Sequence, residues 1–80
     1  MSTRRVLLKY PGGLIKEPLL FRMAKRFDVE PNIRRAHVTE TVGEMVVELK
    51  GTPENLAAGV AFLEDAGVSV QPLEGDVIAP

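Results

Sequence analysis

Among the side chains that could handle a small molecule, Asn32 is the first to weigh. Its amide both donates and accepts hydrogen bonds, which is what the ammonium and carboxylate of an amino acid require. Following Pro31, the same side chain also suits a turn. His37 is the one histidine. It falls between Arg35 and Thr39 on one face of a strand, with nothing nearby in sequence to pair it as a base. Ser2, Ser69 and the threonines therefore have no histidine relay. With no cysteine in the chain, disulfides, thiolate zinc sites, iron–sulfur clusters and cysteine nucleophiles are excluded, as is any histidine-cluster metal site. Pro11-Gly12-Gly13 precedes a helix but lacks both the phosphate-loop and the dinucleotide glycine spacing, so it reads as a plain turn. The start of that helix, with Lys16 beside it, offers free N–H groups and a favourable dipole to a carboxylate. These residues describe a binding protein without cofactor or metal, and no enzyme.

Charge narrows the partners. Ten Lys and Arg against eleven Asp and Glu leave a net charge of −1, whereas a general nucleic-acid binder needs a basic excess to collect phosphates. Arg22, Lys25 and Arg26, with Arg34 and Arg35 further on, make a locally basic region that reads as solvated helix surface. No apolar run approaches the roughly 18 residues of a membrane span. The basic start has only Val6, Leu7 and Leu8 before Lys9, too few for a signal peptide. Direct membrane insertion is not expected, and the expected location is cytoplasmic.

The elements that must position these residues follow from periodicity. Residues 4–10 alternate as a strand, with Val6, Leu8 and Tyr10 on one face and Arg5, Leu7 and Lys9 on the other. Leu20, Met23, Ala24 and Phe27 share one face of a helix placed at 18–29, with Pro18 at its first position. Pro31 then turns the chain into a strand over 32–42, whose apolar phase fades at both ends as if a bulge interrupts it. A tight turn at Gly43 leads to a strand over 44–50, with Met45, Val47 and Leu49 in phase. Thr52 as N-cap, Pro53 and Glu54 open a second helix, which Gly67 should end. A last strand follows over 68–73, and 74–80 reads as a frayed tail. This order predicts an α+β, ferredoxin-like split βαβ sandwich (βαββαβ), a four-stranded antiparallel sheet with two helices on one face. The open face is expected to carry Leu7, Ile33 and Val46. A single 80-residue domain buries only a small core, so a homodimer through that face is expected.

The order of short motifs resembles the NIL domain family. These are Pro18-Leu19 opening the first helix, Phe27-Asp28-Val29 closing it, Asn32-Ile33 opening the next strand, and Gly43 before the third. Leu49-Lys50-Gly51, Phe62-Leu63 and Ala66-Gly67-Val68 complete the set. Arg34 stands where the family name has Leu. The resemblance covers residues 4–73 and is read as a free-standing copy. It implies the ferredoxin-like fold and a regulatory role of the kind found in methionine-importer ATPases and on some bacterial ferredoxins. It also implies a methionine-like ligand near a domain–domain interface. On that basis Pro18, Leu19, Asn32, Ile33 and Arg34 are the candidate ligand-binding residues. Asn32 would fix polar groups, while Leu19 and Ile33 would form apolar walls. The partners implied are a second copy, a small amino acid, and a transporter or ferredoxin-type protein. An adaptor that docks on a protein partner through the open sheet face, without a ligand, is the alternative.

Overall fold

The computed structural model describes residues 1–14 and 17–73. The tail expected over 74–80, and Lys16 beside the first helix, lie outside the described residues. The elements run β1 (Ser2–Tyr10), a short 3-10 turn (Gly12–Leu14), α1 (Leu19–Phe27), β2 (Glu30–Val38), β3 (Gly43–Gly51), α2 (Pro53–Asp65) and β4 (Ser69–Pro72). The four strands form one sheet in the order β2-β3-β1-β4, every neighbour antiparallel. This is the expected βαββαβ arrangement, with the first strand at the centre. The core lies between sheet and helices. Leu8, Val47 and Leu49 rise from the sheet, and Met23, Leu56 and Leu63 descend from the helices, all fully buried.

Both helices end by the same device. Asp28 adopts a left-handed conformation (φ 56°) after α1, and Gly67 (φ 105°) does so after α2. The following residue bonds five positions back, Val29 N–H to the Ala24 carbonyl and Val68 N–H to that of Leu63, each at 3.0 Å. Val29 and Val68 are then buried, the apolar contact that accompanies this kind of closure. α1 therefore stops at Phe27, two residues before the expected end. It also starts one residue late, with Pro18 as N-cap and no side-chain cap. The start of α2 is as expected: the Thr52 hydroxyl accepts from Asn55 N–H at 3.1 Å, and Pro53 holds the first position. Thr52→Ala should cost about 1 kcal/mol in urea unfolding.

The β2–β3 hairpin departs from expectation in two ways. β2 ends at Val38 rather than near Val42, and Gly43 is the first residue of β3 rather than the turn. The turn spans 39–42 and is built by Thr39. Its hydroxyl accepts from Val42 N–H at 3.0 Å and from Thr41 N–H at 3.3 Å, and its own N–H donates to the Val42 carbonyl at 2.7 Å. A threonine that captures turn N–H groups in this way competes with strand pairing. The second departure is a bulge at Arg34. Ile33 pairs with Val47, yet Arg35 pairs with Val46, so two residues of β2 span one step of β3. Ile33 consequently shares the helix-side face with the buried Val47. The open face carries Leu7 and Val46, paired across β1 and β3 and half-buried, but not Ile33.

The two helices approach closely at Gly59. A Cβ built there would lie 2.6 Å from the Met23 sulfur and 3.1 Å from Met23 Cγ. A side chain at that position would push the layer apart. Beside this contact, Phe27 and Phe62 meet edge to face at 5.8 Å, and the Arg26 guanidinium lies over both rings at 5.3 and 5.8 Å. Phe62 is thus held in an aromatic–cation cluster between the helices.

Candidate functional site

The bulge decides where the candidate residues go. On the helix side, Pro18, Leu19 and Ile33 come together in one groove of ≈ 270 Å³, with Tyr10, Leu20, Phe21, Val38, Gly43 and Met45 completing its walls and Glu17 at its margin. The groove exists because β2 is an edge strand that α1 does not cover. Every residue of β2 except Pro31 is exposed, and Ile33 and Val38 remain 53% and 58% exposed despite facing the helix layer. Phe21, on the first turn of α1, is 66% exposed. The floor is firmer, since Tyr10, Leu19 and Leu20 are buried. Burial pushes the Tyr10 phenol above its ordinary pKa, and a backbone hydrogen bond at Leu20 pulls it partly back.

Polar chemistry at this groove is sparse and confined to one end. The start of α1 has no side-chain cap. Leu19 N–H bonds the Glu17 carbonyl at 2.7 Å and Arg22 N–H bonds the Pro18 carbonyl at 3.0 Å. The Phe21 N–H between them has no partner among the described residues. Glu17 supplies a carboxylate that Arg22 holds at 3.0 Å. The groove is thus an apolar trough with a carboxylate and one unpartnered helix N–H at one end, polar groups of the kind that can orient a small charged ligand.

Asn32 and Arg34 lie elsewhere. Asn32 pairs in register with Glu48, and both its amide and the Arg34 guanidinium reach the Glu48 carboxylate, at 3.5 and 3.2 Å. Arg5, across on β1, donates to the same carboxylate from Nε at 3.2 Å and also from a terminal nitrogen. This is the open face of the sheet, opposite the groove, and its charges are largely satisfied there. The structure thus divides the five candidates, three in the groove and two around Glu48. Tyr10, Phe21, Val38 and Met45, which sequence reasoning did not place in a site, join the first group. Their signal was present in the spacing of Ile33 and Val38: two apolar residues five apart share a strand face only if one extra residue intervenes.

Glu48 also carries a pH dependence. The Arg5 hydrogen bonds, outweighing partial burial, hold its carboxyl below the ordinary range, with Asn32 and Arg34 adding to the effect. A depressed folded-state pKa means that the folded chain binds fewer protons than the unfolded one. The contribution is therefore complete above the ordinary carboxylate pKa of about 4.3 and is lost as pH falls through the lower folded value. The melting-temperature difference between wild type and Glu48→Gln should hold near neutrality and shrink in acid.

Comparison with known proteins gives the fold and the lineage together. The sequence profile of the NIL domain matches residues 4–72. The methionine import ATP-binding protein MetN of Symbiobacterium thermophilum is 38% identical over 69 residues, covering 81% of this chain and 21% of its own. MetN 2 of Acinetobacter baylyi is 37% identical over 67 residues, 79% of this chain and 20% of its own. The chain therefore spans about one fifth of the length of these relatives. Among solved structures, the C-terminal domain of an ABC transporter ATP-binding protein from Enterococcus faecalis superposes with a TM-score of 0.77 at 20% identity, over 89% of this chain and 83% of that one. A de novo designed protein, Foldit4, does so at 0.56 and 14% identity, over 89% and 93%, which speaks for the architecture alone.

Proposed function

This chain belongs to the NIL domain family, and from that premise we propose that it is a regulatory binding module, not an enzyme. Its groove takes a free amino acid with an unbranched apolar side chain, of which methionine is the first candidate. The observation that carries this reading is the apolar groove beneath the uncapped start of α1. Pro18, Leu19, Ile33 and Met45 hold the side chain, the free N–H of the first helical turn meets the carboxylate, and Glu17 meets the ammonium. The relatives are named for methionine import, which supports the ligand class. The exposed edge of β2, with Ile33 and Val38 upon it, is where a second copy pairs and closes the groove. A ligand held between two copies favours the paired arrangement by its differential affinity, and that makes the module a sensor.

Thermal melting across a panel of free amino acids tests this. L-Methionine at about 100 times its dissociation constant should add roughly 2.7 kcal/mol, while its D-isomer should not. No shift with any amino acid would remove the ligand from the proposal. The exposed β2 edge would then be read as a docking strip for a separate transporter or ferredoxin-type partner, because an unpaired strand edge is itself a template for a further strand.

A further inference from the structure

The helix layer presents opposite charges on its two outward faces. On α1, Phe21, Arg22, Lys25 and Arg26 are all exposed and recur at the i, i+1, i+4, i+5 spacing of a single helix face. The buried Leu19, Leu20 and Met23 take the other side. α1 contains three cations and no acid. On α2, Glu54, Ala57, Ala61, Glu64 and Asp65 are exposed and form one stripe opposite the buried Leu56, Gly59 and Leu63. α2 contains three acids and no cation. Among the described residues no ion pair engages Lys25, Glu54, Glu64 or Asp65, while Arg22 is paired only with Glu17. Because both buried stripes face the same sheet, both charged stripes point away from it in the same direction.

We propose that the outer face of the helix layer is an interface between two copies of this chain. A two-fold axis through the layer sets α1 of one copy on α2 of the other, and the reciprocal contact follows from the symmetry. Arg22, Lys25 and Arg26 then meet Glu54, Glu64 and Asp65. The exposed Phe21 has a flat partner in Ala57 and Ala61. The molecule extends 35 × 26 × 16 Å, so an interface of the standard size, roughly 800 Å² per partner, would take most of one broad face. A generic acidic protein would satisfy α1 alone. A second copy satisfies both helices at once. The edge of β2 lies outside this surface, and Phe21 is the residue it shares with the groove.

Sedimentation velocity of two charge-reversed variants tests it. One carries Lys25→Glu and Arg26→Glu; the other carries Glu54→Lys, Glu64→Lys and Asp65→Lys. Each alone places like charges across the interface in both contacts and should sediment as a smaller species than wild type. Mixed in equal amounts, they restore complementary charge at both contacts and should recover the wild-type size. Salt near 1 M, where the screening length is about 3 Å, should weaken the wild-type association. Three results overturn the proposal: a wild type no larger than its variants, either variant alone at wild-type size, or a mixture that stays small. Helical circular dichroism of each variant verifies folding. Recovery in the mixture excludes misfolding as the cause of dissociation. Amino-acid melting shifts measured on the same variants keep the two readings separate, because neither alters a groove residue or the Arg22–Glu17 pair.

Discussion

Gly59→Leu is expected to destabilise the domain more than any surface substitution. The position lies at a close approach of the helices, where even a Cβ falls 2.6 Å from the Met23 sulfur, and Met23 is fully buried. Overpacking of this kind costs about 1–3 kcal/mol, and each kcal/mol lowers the melting temperature by about 4–8 °C in a domain this size. Gly59→Ala sets two effects against each other. Alanine is worth up to about 1 kcal/mol over glycine inside a helix, but its methyl group must displace Met23. It should melt at or below the wild-type temperature. The double substitution Gly59→Leu with Met23→Ala exposes the cause. Filling the space left by Met23 should make the pair less harmful than the sum of the single effects, with a coupling of about 0.5–3 kcal/mol. Additive losses in urea unfolding would place the damage elsewhere than the 23–59 contact.

The second large effect concerns the ligand. Ile33→Asp places a charge on the apolar wall of the groove at a half-exposed position, where folding tolerates it and an apolar ligand side chain does not. Methionine affinity should fall at least tenfold, about 1.4 kcal/mol, and the melting shift should collapse accordingly. Asn32→Ala should leave that shift intact, since its amide faces Glu48 on the other side of the sheet. Calorimetric titration of the two variants separates the surfaces. If Asn32→Ala abolishes binding while Ile33→Asp does not, the ligand sits by Glu48 and the groove assignment fails.

Much of the architecture was readable from the residues, and the exceptions share a cause. Alternation in β1 and β3 is reinforced by burial, and the Thr52-Pro53 start and Gly67 stop of α2 rest on a cap hydrogen bond and a left-handed residue that need no packing, so they hold. β2 is different. As an edge strand it receives little packing to fix its phase, and the bulge at Arg34 adds a residue that simple alternation counts wrongly. Ile33 thereby moves from the open face to the helix side. Asn32 and Arg34, adjacent to it in sequence, fall on the opposite surface, so the neighbourhood suggested by the Asn32-Ile33-Arg34 run is not a neighbourhood in space. Phe21 eluded sequence reasoning for another reason. An apolar residue on the solvated side of an amphipathic helix contradicts the helical pattern, and only the groove beside it explains its position.

The central place of β1 has a consequence for how the chain is made. Its residues leave the ribosome before those of the other elements, yet its two neighbours in the sheet are β3 and β4. The Val6–Pro72 pair joins positions at nearly opposite ends of the described chain. Such long-range closure slows folding, and here it also sets a sequence of events in synthesis. β1, α1, β2 and β3 can assemble early, but one side of β1 waits with its backbone groups unpaired until Ser69–Pro72 have emerged. During that interval the nascent domain carries a bare strand in what becomes the middle of its sheet, open to any other strand that arrives first.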